Sequence, residues 1–130
     1  MRLDEAIYQY LIVQTALTTY TGLNIYPDIL PQKVNYPAIA FTQVSGERVL
    51  TFGNDPNYIH PVVKFNCYAE SFEETKTVSE QLRASLQDLL GSMDDLTNVT
   101  VLITAESDDY DYDVNKYVNM MEFEIWHDEV

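Results

Sequence analysis

The sequence predicts an α+β domain: a mainly antiparallel or mixed sheet of four to five strands, with two main helices packed on one face. Three observations lead to this. Stretches at 38–45, 62–70, 99–106 and 121–125 alternate apolar and polar side chains, the period of a half-buried strand. Two other segments, one at the N-terminus and one after Ser71, repeat apolar residues every three or four positions, the period of an amphipathic helix. The strands are apolar on one side only, as in a sheet that helices cover on a single face.

In chain order, Leu3, Ile7, Tyr10, Leu11 and Leu17 form the stripe of a first helix, with Asp4 and Glu5 in its opening turn, where they suit the positive end of the helix dipole. Gly22 is a natural stop. Pro27, Pro31 and Pro37 forbid helix and set an extended connector. Ala38 to Ser45 reads as a strand with Ile39 and Phe41 on one face and Ala40 and Thr42 on the other. Gly46 to Pro61, with its Gly, Asn-Asp-Pro and charges, reads as one long loop projecting from a single domain spanning 1–130. It far exceeds the roughly two to five residues of a hairpin connection, and loops of such length are usually functional or disordered. Within it Val49, Leu50 and Phe52, with Tyr58, make a short patch suited to partner contact.

Val63, Phe65, Cys67 and Ala69 alternate with Lys64, Asn66 and Tyr68 in the next strand. Ser71-Phe72-Glu73-Glu74 is a capping-box pattern. It opens a helix whose stripe is Val78, Leu82, Leu86 and Leu89, with Gly91 as its expected left-handed stop. Val99, Val101, Ile103 and Ala105 then oppose Thr100, Thr104 and Glu106, and Met121, Phe123 and Ile125 oppose Glu122 and Glu124. Ser107 to Lys116 between them reads as an acidic turn.

Composition narrows the function. The chain has 130 residues, 46% hydrophobic and 22% charged, which suits one folded core. No apolar run approaches the ~20 residues of a membrane span, and the first residues lack the pattern of a signal peptide, so no membrane partner is expected. The Asn98-Val99-Thr100 sequon is therefore read as chance. The single cysteine, Cys67, leaves no internal disulfide and fits a reducing compartment.

Twenty-one acids against seven bases give a net charge of −14, which argues against tight binding to phosphate backbones. Nine of the 21 acids lie between Glu106 and Val130, with Lys116 as the only Lys or Arg there. Such charge serves either solubility or a functional surface, and both readings stand at this point.

Catalytic and metal chemistry find little support. Asp109, Asp111 and Asp113 alternate like the first ligands of an EF-hand, but the loop then needs Gly and Glu where Val114 and Met120 stand. A solvated acidic turn accounts for them, with a weak divalent site as the minor alternative. Cys67, His60 and His127 could suggest zinc or a thiol nucleophile, yet Cys67 shares the apolar strand face with Phe65 and Ala69, where free cysteine is usually a buried hydrophobe. No Gly-rich phosphate loop or Gly-x-Ser-x-Gly element is present. No cofactor or metal is expected. Tyr58, Tyr110 and Tyr112 fall in predicted loops and are either interface contacts or merely exposed.

The order of motifs along the chain resembles the tail completion proteins of long-tailed bacteriophages, also called tail terminators or tail-to-head joining proteins. The features that carry the resemblance are Ala16-Leu17-Thr18 at the end of the first helix, Ile25-Tyr26-Pro27-Asp28, and Tyr36-Pro37-Ala38-Ile39-Ala40-Phe41. They continue with Val44-Ser45-Gly46-Glu47, Phe65-Asn66-Cys67-Tyr68-Ala69 and the closing Phe123-Glu124-Ile125-Trp126.

The resemblance implies a homo-hexameric ring, located in the virion at the tail–neck junction and assembled in the bacterial cytoplasm. It would cap the tail tube and join it to the head-connector protein, with DNA passing through but no specific nucleic-acid binding. The implied partners are further copies of the chain, the major tail tube protein and the neck protein, and no catalytic residue is implied.

For such a ring Lys64, Arg83, Glu122 and Glu124 are candidate subunit contacts, whose charge complementarity would fix register. Asp108, Asp109, Asp111 and Asp113 would face the channel or a basic partner. A small acidic adaptor or inhibitor of a basic protein, and a related neck or head-completion component, are the alternative readings.

Overall fold

Alternate residues of Val62–Ala69 are buried, the pattern of a strand with one covered face, and pairing with residues 38–45 on one side and 117–124 on the other puts this segment in the interior of the sheet. The structure is a computed structural model describing residues 3–22, 24–27, 36–45, 48–49, 58–59, 61–87, 90–93, 96–113 and 115–128. Its elements in order are α1 (Leu3–Leu11), α2 (Thr15–Thr21), β1 (Ile25–Pro27), β2 (Ala38–Ser45), β3 (Arg48–Val49) and β4 (Tyr58–Ile59). There follow β5 (Val62–Ala69), α3 (Phe72–Leu86), β6 (Leu90–Met93), β7 (Leu96–Asp111) and β8 (Lys116–Asp128).

The strands are ordered β1-β2-β5-β8-β7-β6. β1 runs parallel to β2 and every other pairing among the described residues is antiparallel, so the sheet is mixed. Among the described residues five strands have four or more residues, and β1, β3 and β4 are shorter additions. The α+β class and the mixed sheet agree with the sequence reading.

The core lies between the sheet and the helices. Phe65 stacks on Phe41 at 5.6 Å and meets Phe123 edge-on at 5.6 Å. Ile7, Leu11, Leu17, Val78, Leu82 and Leu86 join the same buried cluster. α3 packs on β5 and β8, so its stripe meets the apolar face of the central strands. The Tyr10 hydroxyl donates to the Ser85 carbonyl at 2.6 Å, tying α1 to the end of α3.

Four local predictions are corrected. The single N-terminal helix is two, broken at Ile12–Gln14. Ile12 and Val13 are β-branched and stiff in a helix. Gln14, which would continue the stripe, is polar; it has extended backbone and returns its amide to the Tyr10 carbonyl at 3.2 Å. The break leaves Val13 66% exposed. Gly22 does end α2, with φ of 59° and its N–H bonded to the Thr18 carbonyl at 2.8 Å.

α3 starts as predicted, with Ser71 Oγ accepting from the Glu74 N–H at 3.1 Å, but it ends at Leu86. Gln87 is already extended, and Gly91 belongs to β6, paired with Val99, rather than stopping a helix.

The predicted long loop contains two short strands. β3 and β4 pair with each other, and β4 pairs with the end of β8 through Tyr58–Asp128 and Ile59–His127. The predicted acidic turn is mostly strand: β7 continues to Asp111 and β8 begins at Lys116, leaving only a short turn.

Candidate functional site

The long β7–β8 hairpin carries the chemistry of the surface, and a single irregularity in it decides which side each charge takes. Ile103 pairs with Phe123 but Ala105 pairs with Glu122, so Thr104 is an extra residue, a β-bulge. Its hydroxyl donates to the Glu122 carbonyl at 3.1 Å. Because side chains alternate with period two, one extra residue reverses the faces of all that follows.

Before the bulge Val99, Val101 and Ile103 face the helices. After it Glu106 and Asp108 do, aligned with Met121 and Asn119 of β8. Ala105, expected to continue the apolar face, is exposed.

On the helix side these two acids meet α3. Lys76 Nζ lies 2.7 Å from Asp108 Oδ2, and Arg83 pairs with Glu106. Lys76 and Arg83 are two helical turns apart, and Glu106 and Asp108 lie on one face of a strand, so both pairs form at once.

Asn119, fully buried at 0% exposure, sits beneath. Its Nδ2 donates to Asp108 Oδ1 at 2.8 Å and Glu106 Oε2 at 3.2 Å. Two carboxylates can only accept, which fixes the orientation of this amide. The hydrogen bond from Lys76 holds the Asp108 carboxyl below its ordinary pKa, with Asn119 adding to the effect against the opposing cost of burial.

The four aspartates read as one cluster are therefore divided. Asp108 is tied into the helix layer, Asp109 and Asp111 point to the outer sheet face opposite Val118 and Lys116, and Asp113 lies in the turn. Asp109 Oδ1 accepts from the Tyr110 N–H at 2.8 Å, and Asp111 Oδ1 accepts from the Asp113 N–H at 2.9 Å.

Around the hairpin tip runs a chain of ring contacts: Phe72 to Tyr117 at 6.4 Å, Tyr117 to Tyr110 at 5.0 Å, and Tyr110 to Tyr112 at 4.9 Å. Lys76 lies over Phe72 at 5.5 Å and Lys116 over Tyr36 at 5.0 Å. Sequence reasoning missed Lys76, Asn119, Phe72 and Tyr117. The seven-residue spacing of Lys76 and Arg83 was the one available signal for the pairing.

The four subunit-contact candidates do not form one patch. Lys64 and Glu122 stand directly opposite each other on the outer face, with Glu124 one pair further along opposite Val62. Arg83 is on the other side of the sheet, engaged with Glu106 of its own chain. Of the loop residues, the backbone register brings Val49 opposite Tyr58, while Leu50 and Phe52 lie outside the described residues.

Cys67 is fully buried opposite Asn119, and burial, with the Glu106 charge adding, pushes its thiol far above the usual range. His127 lies eight residues further along β8, ~27 Å away at strand rise, so the two cannot share a metal. His60 lies outside the described residues. Among the described residues no group of three His, Cys, Asp or Glu has the arrangement of a metal site.

The described residues form a small α+β domain with helices on one face of a mixed sheet and a charged, aromatic hairpin at its edge. The sequence model of the family Tail completion protein gp17 matches residues 5–128. The chain belongs to that family, and with it to the structural proteins of phage-type virions. Its fold is similar to a chain in the structure "Virion of native gene transfer agent (GTA) particle", with a TM-score of 0.77 at 12% identity. The match covers 98% of this chain and 95% of that one. No curated protein matches the sequence.

Proposed function

We propose that the chain is a non-enzymatic ring subunit that closes the phage tail tube and joins it to the head connector at the tail–neck junction. The observation that carries this reading is the family match, which runs from the first helix to the last strand. Six copies form the ring, DNA passes through its opening, and the tail tube and neck proteins are its partners. Assembly takes place in the host cytoplasm.

A closed ring needs two different complementary patches on each subunit. The outer sheet face with its Lys64–Glu122 pair is one candidate. Glu124, next along that face, extends it. The ribbon around Val49 and Tyr58, with Leu50 and Phe52, is the candidate contact to the tube.

The test is the mass of the purified chain in solution and the shape of its particles by electron microscopy, alone and with tail tubes. Six-fold rings that seat on tube ends are expected; a chain that stays monomeric with tubes present refutes the reading. Deleting Leu50 to Asn57 is expected to spare the fold and abolish attachment.

The second reading, an acidic adaptor for a basic protein, is favoured by one observation: Asp109 and Asp111 point to the open side of the sheet. A related neck component is the third, distinguished by rings that seat on the connector and not on the tube.

A further inference from the structure

We propose that the outer face of the β7–β8 tip receives an arginine side chain from a different protein. The proposal names the chemistry of a partner and uses the ring reading only to say in what assembly that partner is met.

The face contains a groove of about 330 Å³ at the hairpin tip, at the small end of the range for ligand sites and suited to a single long side chain. Its lining combines the apolar Val118 and Met120, the acids Asp109, Asp111 and Asp113, and the rings of Tyr68, Tyr110 and Tyr112. Tyr112 is 80% exposed and contacts the ring of Tyr110, so it stands in solvent as a platform. Asn66 also lines the groove, and its Oδ1 is buried with no hydrogen-bond partner among the described residues.

These features select among cations. A hydrated metal gains nothing from an apolar lining or from rings. An ammonium can sit over a ring, as Lys76 and Lys116 do here, but it is a compact charge that cannot lie flat on the ring or pair with two carboxylates through a fixed planar fork. A guanidinium is planar, carries five donors, pairs with two carboxylates at once and lies on aromatic faces, while its stem covers apolar surface. The field is already negative here: burial and then the Asp111 charge push the Tyr68 phenol up. Lys116 stands across from Asp111, but its Nζ lies over the Tyr36 ring. Lys76 and Arg83 are engaged on the opposite side of the sheet. Lys64, next along the same face, stands opposite Glu122, and Arg48 is in β3, which joins through β4 to the far end of β8, so no base among the described residues is placed at the groove and the arginine is assigned to another protein.

The test is an NMR titration of the isotope-labelled full chain with the capped peptide Ser-Arg-Ser, against Ser-Lys-Ser and Ser-Ser-Ser. Shifts confined to Tyr68, Asp109 to Asp113, Val118 and Met120 are expected, with the arginine peptide binding several-fold more tightly than the lysine one. Asp109→Asn with Asp111→Asn is expected to weaken binding about tenfold, or 1.4 kcal/mol. Tyr112→Ala is expected to remove the preference for arginine over lysine. Equal binding of the lysine peptide, shifts spread over every acidic surface, or full binding by the double variant would overturn the proposal. Self-association that the double variant abolishes would overturn the assignment to a different protein.

Sedimentation of the same samples separates this from the ring reading. A ring former that ignores the peptide refutes the groove alone, and a peptide binder that never forms rings refutes the ring alone.

Discussion

Leu82→Ala is the most direct test of how the two layers are joined. Leu82 lies at the middle of α3 with 0% of its surface exposed, in the cluster that contains Phe65 and Phe123. The substitution removes three carbons, worth about 2.4 kcal/mol at ~0.8 kcal/mol per buried methylene. A void adds to this wherever the surroundings cannot close, which brings buried leucine losses to about 2–5 kcal/mol. Here the Phe41, Phe65 and Phe123 rings are fixed by stacked and edge contacts, so little collapse is available. The expected loss is therefore ~3–5 kcal/mol.

For a chain of this length an unfolding entropy of roughly 0.27 kcal/mol/K gives ~4 °C of Tm per kcal/mol, hence a drop of about 11–18 °C. The assay is urea and thermal unfolding by circular dichroism at fixed protomer concentration, because assembly itself shifts apparent stability. Leu102→Ala is the control: Leu102 is 50% exposed on the outer face, and its loss should stay within about 0.5 kcal/mol. A Leu82→Ala loss under ~1 kcal/mol, or one no larger than the control, would show that the helix stripe does not rest on the sheet.

Gly22→Ala is expected to cost more than about 1 kcal/mol although nothing lies within 4 Å of the added carbon, because φ of +59° strains any other residue; an unchanged urea midpoint would contradict this. Asp108, with its folded pKa lowered, contributes stability that is present above the ordinary value of 3.8 and lost as pH falls through the lowered one. Asp108→Asn should therefore flatten the acid limb of the stability–pH curve and change little at pH 7, since the pair is about a third exposed and such pairs are worth at most ~1 kcal/mol. The single thiol, Cys67, should be inert to a chromogenic disulfide reagent in the native protein and react fully in urea; fast native reaction would show that its strand opens.

Much of the fold was legible because its signals are local. The limits of β2 and the start of β5 follow from alternation, with β5 ending one residue earlier than read, and the start of α3 follows from Ser71 and Glu74. What could not be read depends on pairing at a distance. Nothing in Thr104 announces a bulge, since the extra residue is defined only by the partner strand. Gly91 looks like a helix stop when its strand partner Val99 is out of view. The same holds for the acids: a run of aspartates gives total charge, but the division of Asp108 from Asp109 depends on register with β8, and the pairing of Asp108 depends on where α3 lies.

The extra residue at Thr104 also means that neighbours in sequence have different owners. Asp108 is part of the scaffold, held by Lys76 and Asn119, whereas Asp109, one bond further on, is turned to whatever meets the molecule from outside. A scan along this hairpin should therefore produce two interleaved sets of phenotypes, one in folding and one in assembly, alternating residue by residue. The two sets can drift independently: the outside charges can be rewritten to follow a changing partner while the inside charges stay as they are.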